Sequence, residues 1–211
     1  MKYSFQFVLS IIVLLTQFSV FATEKTVSGL TDYSGTWWFN LGAGAGNIFG
    51  YDNESIDEDD QTNNGPAGTV SFNYAVTDNQ LLTVRTSVVD FQLGTLFGPT
   101  QDKQIERVFD FGVLYGLMHK SDMLLASISA GLAYTGVEYE VLGSIDYDDN
   151  DHSFDSNYNH NVESTIGVPL EAQVFWTPTS FLGLGLIGLA NINSEASYVA
   201  GLVAIQVGNL K

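Results

Sequence analysis

The chain has 211 residues, 24 acidic against seven basic side chains, a formal net charge of −17 and no cysteine. That balance argues against nucleic acid or anionic lipid as the main partner, and the lack of thiols removes disulfides and thiolate metal sites. Only 15% of residues are charged while 45% are apolar, so the acids must be gathered locally and the chain is no disordered acidic tail.

Residues 1–22 read as an export signal. Lys2 supplies a positive start, Val8 to Val20 form an apolar run broken only by Ser, Thr and Gln, and Val20-Phe21-Ala22 offers a cleavage site. A spanning helix needs about 20 apolar residues, and this run is shorter. The mature chain, 23–211, is then a single domain in which all 24 acids face six bases. Freedom from cysteine suits passage through an oxidising periplasm.

Beyond the signal, alternation with a period of two dominates. In the first run, Thr36 to Phe49, Trp37, Phe39, Leu41, Ala43 and Ala45 oppose Trp38, Asn40, Gly42, Gly44 and Gly46. An acidic stretch over 50–67 follows, with Asp52, Glu54, Asp57, Glu58, Asp59 and Asp60 among Asn and Gly, and reads as a loop. The second run sets Val70, Phe72, Tyr74 and Val76 against Ser71, Asn73 and Thr77, and ends in the tight turn Asp78-Asn79-Gln80. The third sets Leu82, Val84, Thr86 and Val88 against Thr83, Arg85 and Ser87, with a connection over about 94–104.

The fourth run opposes Phe109, Phe111, Val113, Tyr115 and Leu117 to Glu106, Asp110, Gly112 and Gly116, and turns at 119–122. In the fifth, Leu124, Ala126, Ile128, Ala130, Leu132 and Tyr134 oppose Ser127, Ser129, Gly131 and Thr135. Residues 142–161 lack an apolar period, hold Asp146, Asp148, Asp149, Asp151 and Asp155, and read as a second acidic loop. The sixth run sets Ile166, Val168, Leu170, Ala172, Val174 and Trp176 against Glu163, Thr165, Gly167, Glu171 and Gln173, then turns at 177–180. Pro169 cannot donate in a ladder, so a bulge or broken pairing is expected there. The seventh, Phe181 to Ile192, opposes Leu182, Leu184, Leu186 and Ala190 to Gly183, Gly185 and Asn191. After a short 193–196, the eighth spans Ser197 to Leu210 with Val199, Val203, Ile205 and Val207 on its apolar face.

Eight strands with long connections on one rim and tight turns on the other describe an all-β, eight-stranded antiparallel up-and-down barrel that crosses a membrane. A lipocalin-like soluble barrel has the same strand count, but it shows a charged face to water. Here the face opposite the aromatics is Gly, Ser, Thr and Asn, which suits the cramped interior of eight strands. Trp37, Trp176 and Phe181 gather at the short-turn rim, as an interfacial girdle requires. On this assignment a charge at Leu184 is costly, and a polar change at Gly185 next door is mild.

These features together resemble the small outer-membrane barrels typified by the OmpA transmembrane domain, OmpX and OmpW. The resemblance covers the whole mature chain and rests on architecture. It implies residence in the bacterial outer membrane, contact with its lipid and lipopolysaccharide, and handling by the barrel-assembly machinery. Members commonly end on an aromatic residue that this machinery reads, whereas this chain ends Val207-Gly208-Asn209-Leu210-Lys211.

Candidate chemistry is sparse. Gly42-Ala43-Gly44-Ala45-Gly46 lacks the dinucleotide spacing and a following helix, and alternate lumen glycines account for it. Asp146, Asp148 and Asp151 place oxygens at alternate positions, as a hard cation wants, yet Asp151 and Asn157 stand where an EF-hand needs Gly and Glu. Weak divalent-ion binding is the most this loop offers. His152 and His160 lie near Ser153 and Asp155 without any hydrolase signature, so no enzyme and no cofactor are expected. Arg85, Glu106, Asp110, Glu163 and Glu171 fall on lumen faces. Arg85 and Glu171 lie at similar depth, and buried charge must pair, so an ion pair across the lumen is expected. The leading functional reading is a non-enzymatic surface protein with acidic outer loops, serving envelope integrity, adhesion or cation adsorption. A narrow pore is the alternative, and an outer-membrane enzyme acting through 142–161 the third.

Overall fold

The computed structural model describes residues 33–49, 64–90, 103–148 and 153–210, with the side chains at 103, 104, 106 and 140–160 outside the description. The strands are β1 (Trp37–Phe49), β2 (Asn64–Thr77), β3 (Gln80–Asp90), β4 (Lys103–Lys120), β5 (Leu124–Asp148), β6 (Ser153–Trp176), β7 (Leu182–Ile192) and β8 (Ser197–Asn209). Each pairs antiparallel with the next, and β8 returns to β1, Trp37 opposite Asn209 and Phe49 opposite Ser197. Closure leaves the described barrel wall without a seam, the condition for holding strands where water cannot satisfy an edge.

The two faces divide as the alternation predicts. Phe39, Leu41, Phe111, Tyr134, Ile166, Val174, Leu186, Val203 and Ile205 all point outward and are exposed. Ile166, Val203 and Leu132 keep 73%, 69% and 67% of their surface open. So large an apolar belt on a soluble monomer would drive aggregation, whereas in a bilayer it faces hydrocarbon. Trp37, Trp176 and Phe181 stand exposed at the short-turn rim, with Tyr74 across from Trp37.

The inner face is less uniformly small than the sequence suggests. At the short-turn end it carries Trp38, Ala75, Leu81, Met118, Leu125, Phe175 and Leu210, all within the last three residues of their strands or just past them, and all buried. They form an apolar floor across the lumen. Larger rings enclose an aqueous channel, but an eight-stranded interior is only wide enough for side chains to fill.

Several boundaries differ from expectation. The acidic stretch 142–161 is no loop over most of its length. β5 runs to Asp148 and β6 begins at Ser153, paired from Leu142 opposite Tyr158 to Asp148 opposite Ser153, with a register shift between Leu142 and Ser144. This ribbon rises beyond the β6–β7 ladder, whose last pair is Val168 with Ile192. No apolar period announces this ribbon in the sequence, yet the backbone ladder continues through it. β2 likewise starts at Asn64, inside the stretch expected to be loop, and His119 and Lys120 end β4 instead of opening a turn. Pro169 behaves as foreseen. The β5–β6 ladder lapses between Ala130–Leu170 and Ala133–Gly167 and resumes in the same register, and Pro169 keeps Asn191 as its opposite number on β7.

Gly185 overturns one expectation. It faces inward, but a Cβ there would meet the Val174 carbonyl oxygen and sit 2.8 Å from Phe175 Cα and Cδ1. The absent side chain lets β7 lie against the floor residue Phe175 on β6. Gly185→Ser should therefore cost about 1–3 kcal/mol, as overpacking generally does, when its unfolding is followed by urea titration in lipid vesicles. A wild-type midpoint would mean that the wall yields freely at this point.

Candidate functional site: the lumen network

Above the floor, side chains from all eight strands join in one hydrogen-bonded network. Alternation turns Arg85 inward from β3, where it is fully buried. Its Nη2 donates to Asp110 Oδ2 on β4 at 2.9 Å, and its Nη1 reaches Glu171 Oε2 on β6 at 3.4 Å and the Leu170 carbonyl at 3.3 Å. Both carboxylates are buried with it. Three further donors converge on Asp110: Ser87 Oγ at 2.6 Å, Asn191 Nδ2 at 2.8 Å and Tyr198 Oη at 2.5 Å. Asn191 also donates to Thr135 Oγ1 on β5 at 2.9 Å.

Glu171 leads to the other side of the barrel. Gln173 donates to it through Nε2 and accepts from Asn40 Nδ2 on β1 at 3.0 Å. The same Gln173 amide lies 3.4 Å from Asn73 Oδ1 on β2, which Thr83 also serves at 2.8 Å. An ionised carboxylate accepts only, and taking two of them out of water is expensive unless cations and donors surround them. Arg85 supplies the one cation and the neutral residues supply the rest.

Of the residues singled out from sequence, the structure brings Arg85, Asp110 and Glu171 together and separates the others. Asp110 is the nearer partner of Arg85, so the simple pair of Arg85 with Glu171 becomes a three-membered cluster. Glu163 shares the inward parity but stands exposed towards the long-connection end of β6, outside the lumen network. Glu106 is the extra residue at a register shift between Ile105 and Arg107, and its side chain lies outside the described residues. The side chains of Asp146 and Asp148, and all of Asp151, also lie outside them, as do Asp52 to Asp60.

Sequence reasoning missed Tyr198, Asn191, Ser87 and Thr135 as members of the cluster, although each sits on an inward position of its strand. It also missed an outward trio. Arg107 lies 3.0 Å from Asp90 and 3.5 Å from Glu138 on the neighbouring strands, all three part-exposed. Exposed pairs of this kind add little stability. They mark where polar side chains replace apolar ones on the outer face of β3–β5.

No protein-family model matches the chain, and no curated protein matches it in sequence. Solved structures do. Ail, the attachment invasion locus protein of Yersinia pestis, superposes with a TM-score of 0.51 at 7% identity, covering 83% of this chain and 99% of that one. Neisserial surface protein A gives a TM-score of 0.52 at 12% identity, with coverage of 84% and 99%. At such identities the likeness is one of fold, and the fold is that of the small eight-stranded outer-membrane barrels.

Proposed function

We propose that this barrel is a non-conducting, non-enzymatic anchor in the bacterial outer membrane that carries acidic connections on the cell surface. The observation that supports it best is the filled lumen. An apolar floor of Trp38, Leu81, Leu125, Phe175 and Leu210 underlies a polar layer cross-linked from every strand. A pore needs a continuous wetted path, and a hydrolase needs a nucleophile that substrate can reach. Among the described residues, the hydroxyls that touch a carboxylate in the lumen, those of Ser87 and Tyr198, are both buried. The outward apolar belt with its aromatic rim supports membrane residence. The segments 50–67 and 142–161 supply an acidic outer surface for envelope contacts, adhesion or cation adsorption.

Refolded protein added to a planar bilayer should give no steady conductance, and discrete channel openings would favour the narrow-pore reading instead. Protease added to intact cells should cut within 50–67 or 142–161 and spare 78–80 and 177–180. Cleavage confined to the short turns would reverse the orientation.

A further inference from the structure

The buried polar atoms of the lumen divide by height in a way the network does not explain. Among the described residues, eight buried side-chain nitrogen and oxygen atoms have no protein partner: Trp38 Nε1, Asn40 Oδ1, Arg85 Nε, Ser127 Oγ, Ser129 Oγ, Thr177 Oγ1, and both Nε2 and Oε1 of Gln206. Every one belongs to a residue within five positions of the short-turn end of its strand. Towards the long-connection end, by contrast, the buried polar groups around Asp110 are joined directly to one another, Ser87, Thr135, Asn191 and Tyr198 included.

Gln206, Asn40, Trp38 and Thr177 lie together where β1, β8 and the β6–β7 turn meet, and Ser127 and Ser129 lie on β5. Gln206 lies opposite Asn40 on β1 and Gly183 on β7. A Cβ on Gly183 would stand 2.8 Å from Gln206 Oε1 and 3.1 Å from Thr177 Cγ2, so both side chains converge over that glycine. Ser127 and Ser129 lie opposite Gln173 and Glu171. Leaving a buried polar group without a partner costs about 1–3 kcal/mol, and eight such costs would exceed what a small barrel can carry. Donors and acceptors are both represented and most are uncharged, so the ligand that serves them must both give and take hydrogen bonds.

We infer that the lumen is layered: ordered water is held between the apolar floor and Arg85, bridging Gln206, Asn40, Trp38 and Thr177 and hydrating the two serines on β5, while the layer around Asp110 is dry. A buried water typically makes about three hydrogen bonds, so roughly three molecules satisfy the set. They also hydrate the Nε face of Arg85, whose other nitrogens are taken by the carboxylates.

Trp38 and Tyr198 test this against each other, because both are aromatic and both are wholly shielded from bulk solvent. Pulsed X-ray hydroxyl-radical labelling, in which radicals arise from water at the site, should oxidise Trp38 several-fold more than Tyr198 in protein folded in lipid nanodiscs. Preincubation in H2(18)O should incorporate the label at Trp38 only slowly, as for water that exchanges with bulk reluctantly. In Gln206→Leu, checked for folding by heat-modifiable gel migration, labelling of Trp38 should fall several-fold. Trp38 as inert as Tyr198 would overturn the inference, and equal oxidation of the two would abolish the layering. Unchanged labelling in Gln206→Leu would overturn the water bridge between Trp38 and Gln206.

Discussion

Arg85→Ala should destabilise the barrel by about 3–5 kcal/mol, the range for breaking a buried ion pair from one side. The cause is less the hydrogen bonds removed than the charges left behind. Asp110 and Glu171 are both buried, and Arg85 is the only cation within 4 Å of either among the described residues. Without it, two carboxylates share a low-dielectric interior with only neutral donors. Arg85→Met with Glu171→Gln should recover part of the stability, and adding Asp110→Asn should recover more, because Asp110 is the nearer partner. Replacing every member of such a cluster is often neutral, whereas removing one is not. Urea titration in lipid vesicles measures each step. A wild-type midpoint for Arg85→Ala would dissolve the cluster as a stabilising unit.

The alternation made the strands, their order and their outer faces readable, because lipid on one side and packed lumen on the other impose opposite demands on successive residues. What escaped were positions where that contrast fails. At the floor both faces are apolar, so the doublets Trp37-Trp38, Leu81-Leu82, Leu124-Leu125 and Phe175-Trp176 blur the pattern at four strand ends. Taken as doublets, with one residue for lipid and one for the lumen, they announce the floor. The β5–β6 ribbon carries no apolar period from Leu142 to Asp155, and the sequence therefore shows it only as an apparent loop, although its backbone pairs throughout.

The inward face of Asp110 was legible in the sequence, but its height beside Arg85 was not. Counted from the end of β4 it lies ten residues up, twice the depth of Arg85 on β3. Yet Gln80 at the start of β3 pairs with Leu117, so β4 overhangs its neighbour by three residues. The register then sets Asp110 beside Ser87, one inward position beyond Arg85. Depth counted within a single strand is offset by the stagger that closure sets between neighbours, three residues at this pair. Only the pairing supplies the offset, and the pairing is a property of the whole sheet.

Leu186→Arg should cost about 2–4 kcal/mol, as cationic residues do near the midplane on the lipid face of a membrane barrel. The structure moves this expectation away from Leu184. That residue lies opposite Trp176, two positions from the start of β7, and its height decides the matter. A strand rising about 3.4 Å per residue and tilted near 45° climbs roughly 2.4 Å per residue towards the other rim. Leu184 then stands about 5 Å above the short-turn rim and Leu186 about 10 Å, within an apolar band some 25 Å tall. An arginine at 184 can bend its charge back to the interface, and one at 186 cannot do so without stretching fully. Leu186 is 63% exposed, flanked by outward Val174 and Val203, so no protein group is at hand to receive the guanidinium. The expected order of destabilisation in vesicles is Leu186→Arg, then Leu184→Arg, then Phe181→Arg at the aromatic rim, with the last near 0–1 kcal/mol. A water-soluble barrel would show no such gradient, since an exposed leucine replaced by arginine only improves its solubility. Flat costs along 181, 184 and 186 would therefore refute the membrane-facing assignment of β7.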